Sequence, residues 1–228
     1  MYAIRERHSP EHFATYMNQP AEGVTTERYM VYNNGTLLEL HNFCENNSLK
    51  SKANYEYVKS IIDVEGFADW IIFEAYMANM DINRNIRYYR SAVDGRWYLG
   101  LADLDLGIVG SFAAFDLVAE CFGHGTVISK LMENKEFQDL LATRLAELLE
   151  GPLSDESTLA RIDKMAANIR AEAAWEEKRW GTTVASWENM VKYMKRFCDG
   201  RAEEMIDSLC QQLGFSKAQR EHYFGHLE

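Results

Sequence analysis

The chain has 228 residues, 47% hydrophobic and 26% charged, with 24 Lys and Arg against 35 Asp and Glu for a formal net charge of −11. Those are globular proportions, and the acidic excess excludes nucleic acid as the main partner, because phosphate backbones need a basic footprint. No apolar run of about 18 residues is present to span a bilayer, and the length suits one domain, or one domain with a large helical extension.

Taken in order, Arg5, Glu6 and Arg7 follow the start at once, so no signal peptide is expected. Residues 2–7 read as the end of a strand, and Ser9, Pro10 and Glu11 open a helix as cap, first helical residue and dipole partner. Residues 29–32 and 36–40, around Asn33-Asn34-Gly35, read as a hairpin, which would give the first forty residues about three strands. Residues 44–52 are polar and read as a loop. A helical period begins at Tyr55. Asp63 then caps a second helix whose apolar residues, Phe67, Trp70, Ile71, Phe73, Ala75, Tyr76 and Met77, lie nearly all round it, interrupted by Glu74. A helix of that kind belongs in the middle of a domain.

Residues 86–90 and 96–101 alternate as strands about a Val93-Asp94-Gly95 turn. Residues 111–125 have no clean period and read as a loop, either mobile or beside a ligand. From residue 126 onward the pattern is helical, with segments at about 126–133, 135–149, 155–180, 186–197 and 201–213, punctuated by Gly151-Pro152, Gly181 and Gly200. The longest has an apolar stripe of Leu159, Ile162, Met165, Ala166, Ile169 and Ala173, expected to pack on the rest of the chain. Trp180 is expected to anchor the end of that helix, with Arg179 paired to Glu176 or another acid. Cys44, Cys121, Cys198 and Cys210 match no zinc spacing and read as buried small hydrophobes, with Cys198 and Cys210 a candidate pair. His8 and His12 alone are too few to hold zinc. Neither a nucleophile elbow nor a phosphate-binding Gly-x4-Gly-Lys-Ser/Thr loop is present.

The chemistry-bearing stretch runs from Asn79 to Gly107. Asp81 follows the apolar helix, Asn83 and Asn85 follow Asp81, and Asp103 and Asp105 follow the strand before Leu106-Gly107. Acids emerging from an apolar strand need a cation or basic partners, either a metal ion or Arg84, Arg87 or Arg90. Hard oxygen donors on both sides of a short hairpin suit Mg²⁺, and a further carboxylate suits orienting or deprotonating an alcohol. Glycine at 107 permits a sharp turn and a close approach of phosphate.

In sequence, a helix, Asn79-x-Asp81, an Asn directly before Ile86-Arg87-Tyr88-Tyr89-Arg90, an Asp94-Gly95-x-Trp97 hairpin and Asp103-x-Asp105-x-Gly107 resemble the spore coat protein H (CotH) kinase family. The opening Tyr-Ala-Ile-Arg-Glu-Arg segment and the distal Glu-Glu-Lys-Arg-Trp-Gly and Lys-Arg-Phe-Cys-Asp-Gly-Arg segments extend the likeness over nearly the whole chain. The resemblance implies an α+β, predominantly helical fold: the larger lobe of an atypical protein kinase, a remnant of the smaller lobe and a C-terminal helical bundle. Asp81 is then similar to the catalytic Asp. Asn85, or Asn83, is similar to the metal-binding Asn, and Asp105-Leu106-Gly107 to the metal-binding Asp-Phe-Gly, with Asp103 a supporting acid. Metal donors would be Asn85, Asp103 and Asp105; Asn85, Asp105 and Gly107 would meet the nucleotide.

The implied reaction uses ATP with Mg²⁺ or Mn²⁺ to phosphorylate Ser or Thr of a protein, in the family's setting a coat protein. Residues 1–50 would be the smaller-lobe remnant and linker, 51–125 the catalytic and metal-loop core, 126–226 the helical part and 227–228 a cloning-derived tail. The strands that grip the phosphates are expected upstream. The competing expectation is a non-catalytic kinase-like scaffold or protein-interaction module in surface or coat assembly.

Overall fold

The structure is a computed structural model. It describes residues 8–28, 35–82, 85–108, 115, 118 and 127–227. Most of the described chain is helical, and three strands form its sheet. No helix among the described residues is long and apolar enough to cross a membrane.

Helix α1 (Pro10–Tyr16) starts as the sequence indicates, with Ser9 Oγ accepting from His12 N at 3.3 Å. The next element is a strand, β1 (Thr25–Arg28), that the sequence reading lacks. The expected strand over 36–40 is instead the start of helix α2 (Gly35–Asn46), which also takes in Cys44 and moves the polar loop later. Leu37, Leu40 and Cys44 explain the difference: three and four residues apart, they share one helical face and are fully buried on it. The turn residues Asn33 and Asn34, like residues 2–7, lie outside the described residues.

Helix α3 (Lys52–Lys59) leads to α4 (Val64–Met77), capped as expected by Asp63, whose Oδ2 accepts from Gly66 N at 3.2 Å. Strands β2 (Arg87–Arg90) and β3 (Trp97–Gly100) form the expected hairpin. Ser91 N donates to Arg96 O at 3.0 Å, and Gly95 takes a φ of +70°. The sheet order is β1-β2-β3, antiparallel throughout, with Thr25 opposite Arg90 and Arg87 opposite Gly100.

Strand alternation divides two cores. Tyr88, Trp97 and Leu99 point into the main core, while Tyr89 and Tyr98 face the other way, onto Phe13 of α1. Phe13 and Tyr89 stack with centroids 3.9 Å apart. A side chain at Gly100 would meet the Phe13 ring at 2.8 Å, so glycine is what lets α1 lie on β3. Backbone bonds from Trp97 N to Ile61 O (2.8 Å) and from Asp63 N to Trp97 O (2.9 Å) tie β3 to the start of α4.

The C-terminal half comprises α5 (Val127–Leu131), α6 (Lys135–Glu150), α7 (Asp155–Trp180), α8 (Val184–Cys198), α9 (Arg201–Leu213) and α10 (Lys217–Phe224). Residues 111–125, read as a loop, lie mostly outside the described residues; Phe115 and Val118 are helical and buried. Helix α6 packs along α4, its Leu141 and Leu145 fully buried, and Arg144 reaches Asp69 of α4 with two bonds of 2.8 and 2.9 Å.

Two expectations for α7 fail. Met165 and Ile169 are exposed because the helix runs past the body it packs on, and Trp180 lies at its far end in solvent with Arg179 stacked over its ring at 5.2 Å. Cys44, Cys198 and Cys210 are free thiols, so Cys198 and Cys210 are not bridged.

Candidate functional site

Helix α4 delivers the site. Its apolar residues are buried on nearly all sides, and its one deeply buried carboxylate, Glu74, is 1% exposed in the last turn. Asn79 Nδ2 donates to Glu74 Oε2 at 2.9 Å, closing the turn in which Ala78 takes left-handed angles (φ 49°, ψ 48°). Left-handed geometry costs a non-glycine residue about 1–2 kcal/mol, so the turn needs outside support. Arg201 of α9 supplies it: Nε donates to Tyr76 O at 3.0 Å and Nη2 to Ala75 O at 2.7 Å. These carbonyls belong to the last helical turn, where Ala75 O also accepts from the C-cap Ala78 N at 3.1 Å, and a cation there meets the negative end of the helix dipole. Arg201 is itself held by Glu204 at 2.6 Å and lies 4.5 Å from the Phe197 ring centroid.

Asp81 and Asn85 are brought together. Asn85 Nδ2 donates to Asp81 Oδ2 at 2.8 Å, which leaves the Asn85 amide oxygen for another partner. The other carboxylate oxygen, Asp81 Oδ1, is buried without a hydrogen-bond partner among the described residues, and so is Asn79 Oδ1. A buried acceptor with nothing to accept costs on the order of 1–3 kcal/mol. Such atoms are tolerated where a ligand or proton donor completes them.

The second acidic loop is strapped to the same helix end. A 3₁₀ turn (Leu104–Leu106) follows Asp103, Ile108 N donates to Met77 O at 2.7 Å, and Met80 N reaches Leu106 O at 3.4 Å. A Cβ on the buried Gly107 would lie 3.1 Å from both Leu104 O and Met77 O, so glycine here relieves a tight backbone approach rather than serving its φ of −81°. Asp103 (φ 54°) and Ile108 (φ 62°) bracket the loop in left-handed conformations. With Ala78 they are three of the four non-glycine residues of positive φ among the described residues, so backbone strain gathers at this site.

Burial pushes the Glu74 carboxyl up to about 7; the Asn79 bond works against this, and the nearby Asp81 charge adds to it. On the other side of the acidic loop, burial and the neighbouring His12 and Arg87 charges hold His8 below the usual imidazole range, while Asp103 acts in the opposite sense. Asp103 therefore lies within electrostatic reach of α1.

Of the residues singled out in the sequence, Asp81 and Asn85 are in direct contact, and Gly107 is packed on the end of α4. Asp103 and Asp105 are exposed on the adjoining loop, and Asn83 lies outside the described residues. Among the described residues no group of three or more His, Cys, Asp or Glu is close enough to hold a metal ion. The oxygen donors present are of the kind a hard cation such as Mg²⁺ takes, and they do not form an all-protein cage, so a cation there would need phosphate or water oxygens as well. A cleft of about 450 Å³ between α1, β3 and the first half of α4 includes none of Asp81, Asn85, Asp103 and Asp105. Its location is apart from the chemistry, and the acidic loops define the site better than the volume does.

Sequence reasoning missed Glu74 and Arg201. Glu74 had a legible signal, a lone acid in a helix apolar on all sides. Arg201 had none beyond its place in a motif.

A central buried helix followed by an acid–amide pair, a hairpin and a second acidic loop folded back on the helix end defines a helical α+β protein with a candidate oxygen-donor site. Residues 6–205 match the family described as CotH kinase protein. That match covers most of the chain, which belongs to this family. No curated protein and no solved structure matches it.

Proposed function

We propose that the chain is the larger-lobe portion of a CotH-type protein kinase, with residues 1–50 a remnant of the smaller lobe, and that its site transfers the γ-phosphoryl group of ATP to a Ser or Thr hydroxyl of a protein. Membership of the kinase family supports the reaction class. The observation that carries the reading is the divided state of Asp81: Oδ2 is fixed by Asn85, and Oδ1 is buried with no partner among the described residues. A carboxylate held by one oxygen and hungry at the other is set to accept the hydrogen of a substrate hydroxyl and orient its oxygen for attack. Asn85 locks the carboxylate and keeps its amide oxygen for a cation. Asp105, with Asp103 beside it, supplies the carboxylate donors, and Gly107 keeps their loop against Met77. When bound, Mg²⁺ or Mn²⁺ would neutralise phosphate charge at this point, and the protein's part is positioning and electrostatic support.

The competing reading is a non-catalytic kinase-like scaffold in surface or coat assembly. One observation favours it: no three-acid cluster is present among the described residues. A melting-shift measurement with ATP, with and without Mg²⁺, beside transfer of labelled γ-phosphate to casein or to the chain itself, separates the two. The kinase reading expects a Mg²⁺-dependent shift and incorporation that is lost in Asp81→Ala and Asp105→Ala. No shift, with incorporation indifferent to both substitutions, selects the scaffold.

A further inference from the structure

Helix α7 outruns the body it packs on. Its first turns join the main core through Leu159 and Ile162, and Tyr76 Oη donates to Thr158 Oγ1 at 3.3 Å. Beyond them it lies against α8, the two helices antiparallel. Lys195 to Asp163 (2.8 Å) and Arg170 to Glu188 fix the level of this hairpin and line one flank of it. Counted from those pairs, Met165 stands within one residue of the level of Met194, and Ile169 within one residue of that of Met190. At 3.6 residues per turn all four fall on the opposite flank. They are exposed there by 62% (Met165), 37% (Ile169), 56% (Met190) and 36% (Met194).

We propose that this flank is a self-association surface, occupied by the same flank of a second copy of the chain about a two-fold axis, so that two hairpins form an antiparallel four-helix contact. Charge complementarity selects this occupant. Along α7 the same arc of about 80° carries Arg161, Met165, Ile169 and Glu172 in that order. A two-fold axis midway between Met165 and Ile169 sets each of these against the other in the second copy, and Arg161 against Glu172. Arg161 and Glu172 are both exposed, and neither has an ion-pair partner among the described residues. Parallel pairing would put Arg161 on Arg161 and gain nothing.

Net charge points to the same hairpin. The whole chain carries −11, which opposes self-contact. Between Asp155 and Cys198 acids and bases are nearly equal in number, so two copies can meet there without that repulsion. Methionines at three of the four apolar positions suit a surface that repacks against its own image. The exposed face spans two helices and is modest beside the roughly 800 Å² per partner of a standard interface, so the dimer is expected to be weak and concentration-dependent.

Sedimentation equilibrium of the full chain from low to high micromolar concentration tests this. The average mass is expected to rise from one chain towards two. Met165→Glu with Ile169→Glu should hold the protein monomeric. Arg161→Glu should weaken the dimer about fivefold, and the swap Arg161→Glu with Glu172→Arg should restore it. Both charge variants sit at exposed positions and leave folding intact, so they decide the matter even where the double glutamate variant melts early. A monomer at every concentration, a dimer indifferent to these substitutions, or a swap that fails to restore association overturns the proposal.

Discussion

Arg201 Nε donates to the carbonyl oxygen of Tyr76 at 3.0 Å, a bond between residues 125 apart in sequence. The end of α4 is therefore held by an element that lies beyond every candidate catalytic residue. The guanidinium is 1% exposed and serves two carbonyls and Glu204 at once.

Arg201→Met should remove the donor from Tyr76 O, leave Ala75 O with Ala78 N alone and cost about 3 kcal/mol of stability. Arg201→Lys should recover less than half of that, because one ammonium cannot reproduce the planar fork or the stacking on Phe197. Urea titration of the three proteins measures both numbers.

Gly107→Ala should be poorly tolerated for a different reason. Its Cβ would meet two backbone carbonyl oxygens at 3.1 Å, neither on a flexible side chain. Overpacking of this kind costs about 1–3 kcal/mol, and relief requires the loop carrying Asp105 to move off Met77. The Mg²⁺-dependent melting shift with ATP should fall by more than the loss of stability accounts for.

Asp81→Asn should separate stability from activity. The buried Oδ1 without a partner belongs to an ionisable group, and replacing the carboxylate by an amide of the same shape removes its charge. The variant is expected to melt at or above the wild-type temperature while phosphoryl transfer falls by about 10²–10⁴-fold. Equal loss of both would mark Asp81 as structural.

Glu74 sets a pH dependence. Burial raises its carboxyl from an ordinary value of 4.5 to about 7 in the folded state. The folded protein then holds a proton that the unfolded chain releases, so this contribution is fully present below about pH 4.5 and is lost as pH rises through about 7. The full effect is on the order of 3 kcal/mol. Glu74→Gln keeps the shape and an acceptor oxygen for Asn79 and should flatten the decline in melting temperature between pH 5 and 8. A slope unchanged in the variant would assign it to other groups.

Local physics made much of this legible. Asp63, Ser9 and the apolar surface of α4 mark helix starts and a buried helix because capping and periodicity act over a few residues. The Val93-Asp94-Gly95 turn placed the β2–β3 hairpin for the same reason, and the ordered acids and amides between Asn79 and Gly107 identified the candidate site and the family. Residues 36–40 were misread because the tyrosines and the Asn-Asn-Gly before them suggest a hairpin, whereas the burial of Leu37, Leu40 and Cys44 on one face is a tertiary fact.

Tertiary structure alone decided the rest. It showed that the stripe on α7 is half uncovered, that Glu74 bonds Asn79, and that Arg201 returns from the far end of the chain to close α4. Sequence determines which groups are available and the period at which they recur. Which buried oxygen meets which donor, and which is left waiting, depends on contacts between residues distant in the chain, and no local pattern encodes those.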